Sequence, residues 1–264
     1  MRERLSFFID RPSPLHRLNP LTKLMLALAL IITAFFGPGY WLPTALFVLV
    51  IVPLSFWGKV NGEFLRATVR LLLPLFSFLF VMQSLFYPGG RTVLFSLWLF
   101  SIKAEGVAFG YLTATRIIVM VTSFLLLLLS THPSALMNDL ARRGVPGPIS
   151  YIITSTLQIL PQMQVKAATI IDAQRSRGLD TGGSFRKRLA ALLPLVGPLV
   201  FGSLVDVEER AIAIEARAFN SPRPKTSLIE IPDSAAERAA RWILLAFMIL
   251  AMASRLWLSF TSKI

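Results

Sequence analysis

From Gly106 to Ser130 the chain carries one charge, Arg116, and includes the unbroken block Ser123-Phe124-Leu125-Leu126-Leu127-Leu128-Leu129. A helix needs about 20 mostly apolar residues to cross bilayer hydrocarbon, and this run exceeds that. Hydrocarbon offers no water to bond the backbone, so the segment must satisfy its own N–H and C=O groups as a helix. Four more runs have the same character. Leu24 to Phe36, extended by Leu21, stops at the turn signal Gly37-Pro38-Gly39. Trp41 to Trp57 follows at once, with Tyr40 and the tryptophans as interfacial aromatics. These two are a little short for a span, and the brief turn between them makes a helical hairpin. Leu71 to Tyr87 is closed by Pro88-Gly89-Gly90, and Trp242 to Phe260 lies near the C-terminus. Thr92 to Phe100 is apolar but too short to cross, and is expected as an interfacial or re-entrant piece. The fold expected is an all-α polytopic membrane protein with about five transmembrane helices.

Composition supports this. Hydrophobic residues make up 55% and charged residues 16%, against about 25% charged in soluble domains. Lys plus Arg number 27 against 14 Asp plus Glu, a net charge of +13. In a soluble protein that excess would point to nucleic acid. In so apolar a chain it points to membrane topology and anionic headgroups, with no nucleic-acid partner. The absence of Cys excludes disulfides, thiol catalysis and Cys-ligated metal. His16 and His132 lack metal-ligand spacing, so no metal site is expected. The start shows no short apolar run followed by a small-residue cleavage site, so no cleaved signal peptide is expected.

The charges predict an orientation. The segment from Thr131 to Arg241 is helical in pattern and holds 13 basic residues before Arg241. The N-terminal tail adds Arg2, Arg4, Arg11, Arg17 and Lys23, and the stretch after the second run adds Lys59, Arg66 and Arg70. The turn from Gly37 to Tyr40 has none. Basic stretches beside spans stay in the cytoplasm, which puts the N-terminus and the large loop inside and the C-terminus outside. A rival arrangement would send both Ile149 to Val165 and Leu189 to Val205 through the membrane. It would leave six basic residues between Lys166 and Arg188 outside, against the charge rule. Pro194, Gly197, Pro198 and Gly202 also make the later stretch a poor regular helix. Two long amphipathic helices against the cytoplasmic face are expected instead. The organisation is then a membrane domain over 1–130, a cytoplasmic coupling-helix region over 131–240, and a C-terminal transmembrane helix over 241–264.

No phosphate loop Gly-x-x-x-x-Gly-Lys-Ser/Thr, no Gly-x-Gly-x-x-Gly and no His-Glu-x-x-His occurs. No cofactor and no catalytic residue is assigned. Acids are sparse in the spans, which argues against a proton relay, and no ion-selectivity filter is visible. A membrane-bound transferase would need a polar catalytic cluster at the interface, and none is found. The chain reads as one part of a machine, without an energy source of its own.

Two loop segments resemble each other. One runs from Pro161 to Asp172-Ala173-Gln174-Arg175-Ser176-Arg177-Gly178, the other from Pro198 to Glu215-Ala216-Arg217-Ala218-Phe219. Each ends with an Arg between small residues. Small neighbours let another protein approach closely, and the guanidinium offers forked hydrogen bonds to carboxylates or carbonyls. A cation also favours the negative end of any helix dipole, but two related sites 40 residues apart are more than that effect alone explains.

At these residues the chain resembles the transmembrane T component of energy-coupling factor transporters, an importer family. The family carries two short Ala-Arg-Gly-like motifs at the ends of cytoplasmic coupling helices. They match Ser176-Arg177-Gly178 and Ala216-Arg217-Ala218 here. Asn19-Pro20-Leu21-Thr22-Lys23-Leu24 and Gly144-Val145-Pro146 match as well, and the strongest match runs from Asp172 to Asp180. The resemblance implies two cytoplasmic ATP-binding-cassette ATPases as partners, one per arginine motif. It also implies a separate membrane S component that binds the vitamin or metal ion to be imported. The chain itself would be non-catalytic and would sit in the cell membrane. Ala218 departs from the family's usual Gly. Ala resists positive φ, so the second helix is expected to end one or two residues later, at Asn220.

Other residues have plainer readings. Arg116 is an intramembrane charge and so a possible functional group, with a structural pairing or snorkelling side chain as the competing reading. Pro74, Pro161, Pro194 and Pro198 are expected to kink helices. Arg186-Lys187-Arg188 is expected to contact anionic lipid. The main alternative function is the permease subunit of a conventional ATP-binding-cassette transporter, which would form the substrate path itself.

Overall fold

A computed structural model describes residues 11–89, 92–97, 100–179, 185–221 and 232–261. Arg2, Arg4, Gly90, Asp180 and Pro222, and the side chains of Arg186, Lys187 and Arg188, lie outside the described residues. The helices are α1 (Pro14–Arg17), α2 (Pro20–Phe36), α3 (Leu42–Leu46), α4 (Val52–Trp57), α5 (Asn61–Phe86), α6 (Ala104–Ser130), α7 (Pro133–Arg142), α8 (Gly147–Ser176), α9 (Phe185–Ala216) and α10 (Ala235–Thr261). By contact the chain divides into two units. One comprises 6–146 with 231–264, and the other centres on 147–230.

The first unit holds the apolar helices. Asn61–Phe86, Ala104–Ser130 and Ala235–Trp257 are long and apolar enough to cross a membrane, while Pro20–Phe36 and Leu42–Trp57 are shorter apolar helices. The expected five runs are therefore all helical. The shorter two match the short sequence runs, and 17 residues of α2 extend about 25 Å. The stretch after α3 is not a plain α-helix. Phe47–Ile51 winds as a π-helix, with the Val52 N–H bonding the Phe47 carbonyl. Pro53 in the first turn of α4 has no N–H to offer the preceding turn, and the wider register absorbs that gap.

α6 is the central helix. Along its most apolar window 44% of residues are buried, against 11% in the windows of α5 and α10. Leu30 and Ala34 of α2, Ile51, Phe64 of α5, and Val119, Leu126 and Leu129 of α6 form one buried cluster. Gly106 and Gly110 let α6 come within a residue's width of α5. A Cβ on Gly106 would lie 3.0 Å from Tyr87 Cβ, and one on Gly110 3.1 Å from Gln83 Cβ. Small residues four apart are how transmembrane helices gain close packing without a hydrophobic drive between them. The buried hydroxyls of Thr115, Thr122 and Ser84 return their protons to carbonyls four residues back. The outward faces of α5 and α10 are apolar, with Leu71, Leu73, Phe78, Trp242, Ile243 and Leu250 all exposed. Such a surface belongs in lipid or against another membrane protein.

Arg116 is used structurally. Its Nε donates to the Ala34 carbonyl at 3.0 Å, and its guanidinium lies over the Phe35 ring at 5.9 Å. Ala34 is in the last turn of α2, where carbonyls lack intrahelical partners. The arginine of one helix therefore caps the end of another. Between α5 and α6 the expectation of an interfacial or re-entrant segment is replaced by an antiparallel ribbon, β1 (Val93–Leu97) with β2 (Phe100–Lys103). Two strands pair their own backbone groups, which a short apolar piece cannot do as an isolated extended chain.

Where α2, α7 and α10 begin or end, the polar groups form one network. Asn19 caps α2 by accepting from Leu21 N–H at 2.9 Å, while its own N–H donates to Glu237 at 2.8 Å. Ser234 and Glu237 form a reciprocal capping box at the start of α10. Lys23, only 6% exposed, donates to the carbonyls of Ser130 (2.8 Å) and His16 (3.1 Å). Arg241, 8% exposed, donates to Thr22 and to both oxygens of Asp233. Arg143 reaches the same carboxylate at 2.9 Å and also bonds Asp139. Burial pushes the Asp233 carboxyl up, but hydrogen bonds from Arg241 and Arg143 outweigh it and hold the group below the usual carboxylate range.

A carboxylate with a lowered folded-state value contributes stability above its unfolded value and loses it as pH falls through the folded one. Asp233→Asn should therefore cost about 3 kcal/mol at neutral pH, since it strands the buried guanidinium of Arg241. The gap from wild type should close below about pH 4. Thermal unfolding of the detergent-purified chain across pH checks this, and a gap that does not narrow in acid would refute the pairing.

Candidate functional site

The second unit contains α8 and α9, of 30 and 32 residues. Neither qualifies as a membrane-spanning helix among the described residues. Proline lies inside both, Pro161 in α8 and Pro194 and Pro198 in α9. Pro74 similarly lies within the continuous α5.

The two helices end in the same way. In α8 the Leu179 N–H bonds the Gln174 carbonyl and the Gly178 N–H bonds Arg175, both at 3.0 Å. In α9 the Phe219 N–H bonds Ile214 (3.2 Å) and the Ala218 N–H bonds Glu215 (2.9 Å). Each pair is a Schellman closure, which needs a left-handed residue after the cap. Gly178 supplies it with φ +90°. Ala218 supplies it with φ +55°. The expected extension of α9 to Asn220 is thus overturned. The paired bonds and the apolar residue behind them outweigh the alanine's reluctance, because Phe219 is anchored on Tyr151 with ring centroids 5.3 Å apart.

Arg177 and Arg217 therefore occupy identical positions, at the cap between the last helical residue and the left-handed one. Both are exposed, and neither guanidinium has a hydrogen-bond or ion-pair partner among the described residues. Their neighbours are engaged: Arg175 pairs with Asp172, and Arg210 donates to Gln162 at 2.8 Å. Ser176 returns its hydroxyl to the Asp172 carbonyl, and Ala216 is the last residue of α9. Nothing lies within 4 Å of where a Cβ on Gly178 would project. Each tip thus presents an uncommitted guanidinium beside small residues, a group able to donate several hydrogen bonds to an acceptor-rich partner surface.

A third helix, α7, closes with the same bond pattern: Val145 N–H to Leu140 and Gly144 N–H to Ala141, with Gly144 at φ +111°. Its cap residue is also an arginine, Arg143, but that side chain is held by Asp139 and Asp233. Sequence reading noted Gly144-Val145-Pro146 without seeing the shared geometry. It also missed Asp233, Glu237 and Arg241. The signal Ser234-x-x-Glu237 ahead of an apolar run could have located that helix start.

The strain at Ala218 makes a direct prediction. Ala218→Gly should raise stability by about 0.5–1 kcal/mol, because relief of the left-handed penalty exceeds the added unfolded-state freedom. Gly178→Ala should lose about 1–2 kcal/mol, since φ +90° is harder still for a side chain. Chemical-denaturation midpoints of the two variants in detergent would show opposite signs. A destabilised Ala218→Gly would contradict the helix end described.

A family profile described as cobalt transport protein, CbiQ, matches residues 11–228. The energy-coupling factor transporter transmembrane protein EcfT of Lacticaseibacillus paracasei is 30% identical over 231 residues, 84% of this chain and 87% of that protein. The EcfT of Leuconostoc gelidum subsp. gasicomitatum is 28% identical over 266 residues, 95% of this chain and 96% of that protein. The EcfT of Lactococcus lactis subsp. cremoris is 26% identical over 230 residues, covering 83% and 85%. The profile match spans α1 to α9 and so includes both arginine-tipped helix ends. This chain belongs to the CbiQ/EcfT family, the transmembrane components of energy-coupling factor transporters, and is a transporter subunit rather than an enzyme.

Proposed function

We propose that this chain couples two ATP-binding-cassette ATPases to a separate substrate-binding S component during uptake of a vitamin or metal ion. The observation that carries the reading is the pair of identically built, arginine-tipped helix ends. Ser176-Arg177-Gly178 docks one ATPase and Ala216-Arg217-Ala218 the other. The chain has no phosphate loop, so hydrolysis belongs to those partners. ATP-driven closure moves the two tips, and the helices pass that movement to the S component. The lipid- or partner-facing apolar sides of α5 and α10 supply surface for it. Residues 1–130 form the membrane domain, 131–240 the coupling region and 241–264 the last span. A conventional permease is disfavoured by the family membership. The protein resides in the cell membrane with its N-terminus and coupling region in the cytoplasm, as the charge distribution requires.

Arg177→Glu and Arg217→Glu should each weaken docking of one ATPase by about 2–5 kcal/mol, the cost of removing one side of a buried charged contact. The double variant should lose assembly while still inserting in the membrane. Co-purification of the ATPases with tagged chain measures it, and retention of both ATPases by the double variant would end the docking reading. Orientation is tested separately. The chain has no Cys, so single Cys residues at Thr181, Thr226 and Ser262 can be probed with an impermeant thiol reagent in intact cells. Position 262 should label from outside and the other two should not; external labelling at 226 would defeat the topology.

A further inference from the structure

The first turns of α5 carry two arginines that the chain leaves unmatched. Arg66 and Arg70 are four residues apart, so they stand on one face of the helix, about 6 Å from each other along its axis. Both are exposed, and neither guanidinium has a hydrogen-bond or ion-pair partner among the described residues. Like charges at this spacing repel, and an acid three or four residues away would offset them. Glu63 is the one acid in α5 and stands three residues before Arg66, but Arg11 takes it at 2.5 Å. Arg11 also donates to the Lys59 carbonyl in the turn before α5, which holds it there. Cations of other helices do find acids: Lys166 of α8 donates to Asp206 of α9 at 2.7 Å, and Arg175 pairs with Asp172.

The pair stands where α5 enters the apolar layer. The helix has 26 residues, and about 20 of them suffice to cross hydrocarbon. Counted back from Phe86, that length ends near Ala67, so Arg66 lies just outside and Arg70 about one turn inside. Helical side chains lean towards the N-terminus, and an arginine stem can lie along apolar surface while its head reaches the interface. Both guanidiniums therefore come to headgroup depth. Further along the same face Ser77, seven residues after Arg70, is exposed. The neighbouring row of Leu65, Val69 and Leu73 is exposed and apolar. A phosphate diester has two unesterified oxygens, which a guanidinium fork matches. Cations above an apolar row fit a molecule that is anionic at one end and apolar along its length. An acidic protein loop would supply the charge but not the chains.

We propose that Arg66 and Arg70 bind the phosphate of an anionic phospholipid in the cytoplasmic leaflet, with its acyl chains lying along Leu73 and Ser77. The bound phosphate replaces the acid that α5 lacks and sets the depth at which the helix enters the membrane. A zwitterionic lipid fits less well, because its headgroup places a second cation beside the pair. The leaflet follows from the orientation proposed above. Failure of that orientation appears as external labelling at position 226 and leaves a lipid preference at α5 in place.

The test uses the full chain in phosphatidylcholine vesicles containing phosphatidylglycerol. A bimane label at Ser77→Cys, on a chain with no other Cys, reports which lipid lies beneath the pair, because brominated acyl chains quench it on contact. Brominated phosphatidylglycerol should quench it more than brominated phosphatidylcholine does. The same label at Leu250→Cys, on the exposed face of α10, should show little preference. Arg66→Gln and Arg70→Gln should each reduce the preference at position 77 about fivefold, and the double variant should bring it to the level of position 250. Arg66→Lys with Arg70→Lys should keep most of it. High salt should weaken it in the chain with both arginines, a readout that needs no arginine variant to fold. Equal quenching by the two lipids with both arginines present, or a preference that survives the double glutamine variant, would overturn the proposal. So would an absent preference together with loss of a co-purifying membrane protein from the Arg66→Glu, Arg70→Glu chain, the result expected of a protein-binding patch.

Discussion

Asp233 receives two arginines from different parts of the chain, and much of the first unit depends on that carboxylate. Arg241 arrives from within α10 and Arg143 from the end of α7. Through Thr22 the same Arg241 reaches the first turn of α2. Lys23 next to it ties α2 to the end of α6 through the Ser130 carbonyl. Four helices therefore meet at charges that are mostly out of water. Such an arrangement is costly to assemble and costlier to break, because each lost partner strands another buried group. It fixes where apolar helices begin and end, which non-directional packing cannot do by itself.

The same logic operates deeper in the bundle. Arg116 would be expensive in hydrocarbon if left alone. It caps the open end of α2 instead, so two liabilities, a cation and an unpaired carbonyl, cancel. The π-helical turn before Pro53 is another local settlement, trading regular winding for satisfied backbone groups.

How much of this was legible differs by residue. The five apolar runs were plain, because hydrocarbon length and the need for internal backbone bonding leave one solution. The cap at Gly178 followed from its residue type. Ala218 was misread because propensity argued one way and an anchored Phe219 the other, and only the fold shows that anchor. The ribbon at Val93–Lys103 was missed since a short apolar run has no period that separates strand from helix. The stretch Asn19-Pro20-Leu21-Thr22-Lys23 stood out as a match, yet its use was invisible until Glu237 and Arg241, more than 200 residues away, came beside it. The pairing of Lys166 with Asp206 was hidden for the same reason: two exposed-looking charges 40 residues apart carry no local signal.

Two equivalent tips on one polypeptide have a consequence for how the molecule can change. A symmetric dimer would show every substitution twice, and both tips would alter together. Here Arg177 and Arg217 are encoded separately, and one already ends in Gly and the other in Ala. Each end can drift to suit a different neighbour while the other stays as it was. On the proposed docking, the chain is free to serve a matched pair of partners or an unlike pair, with their number set at two by covalent connection and not by concentration.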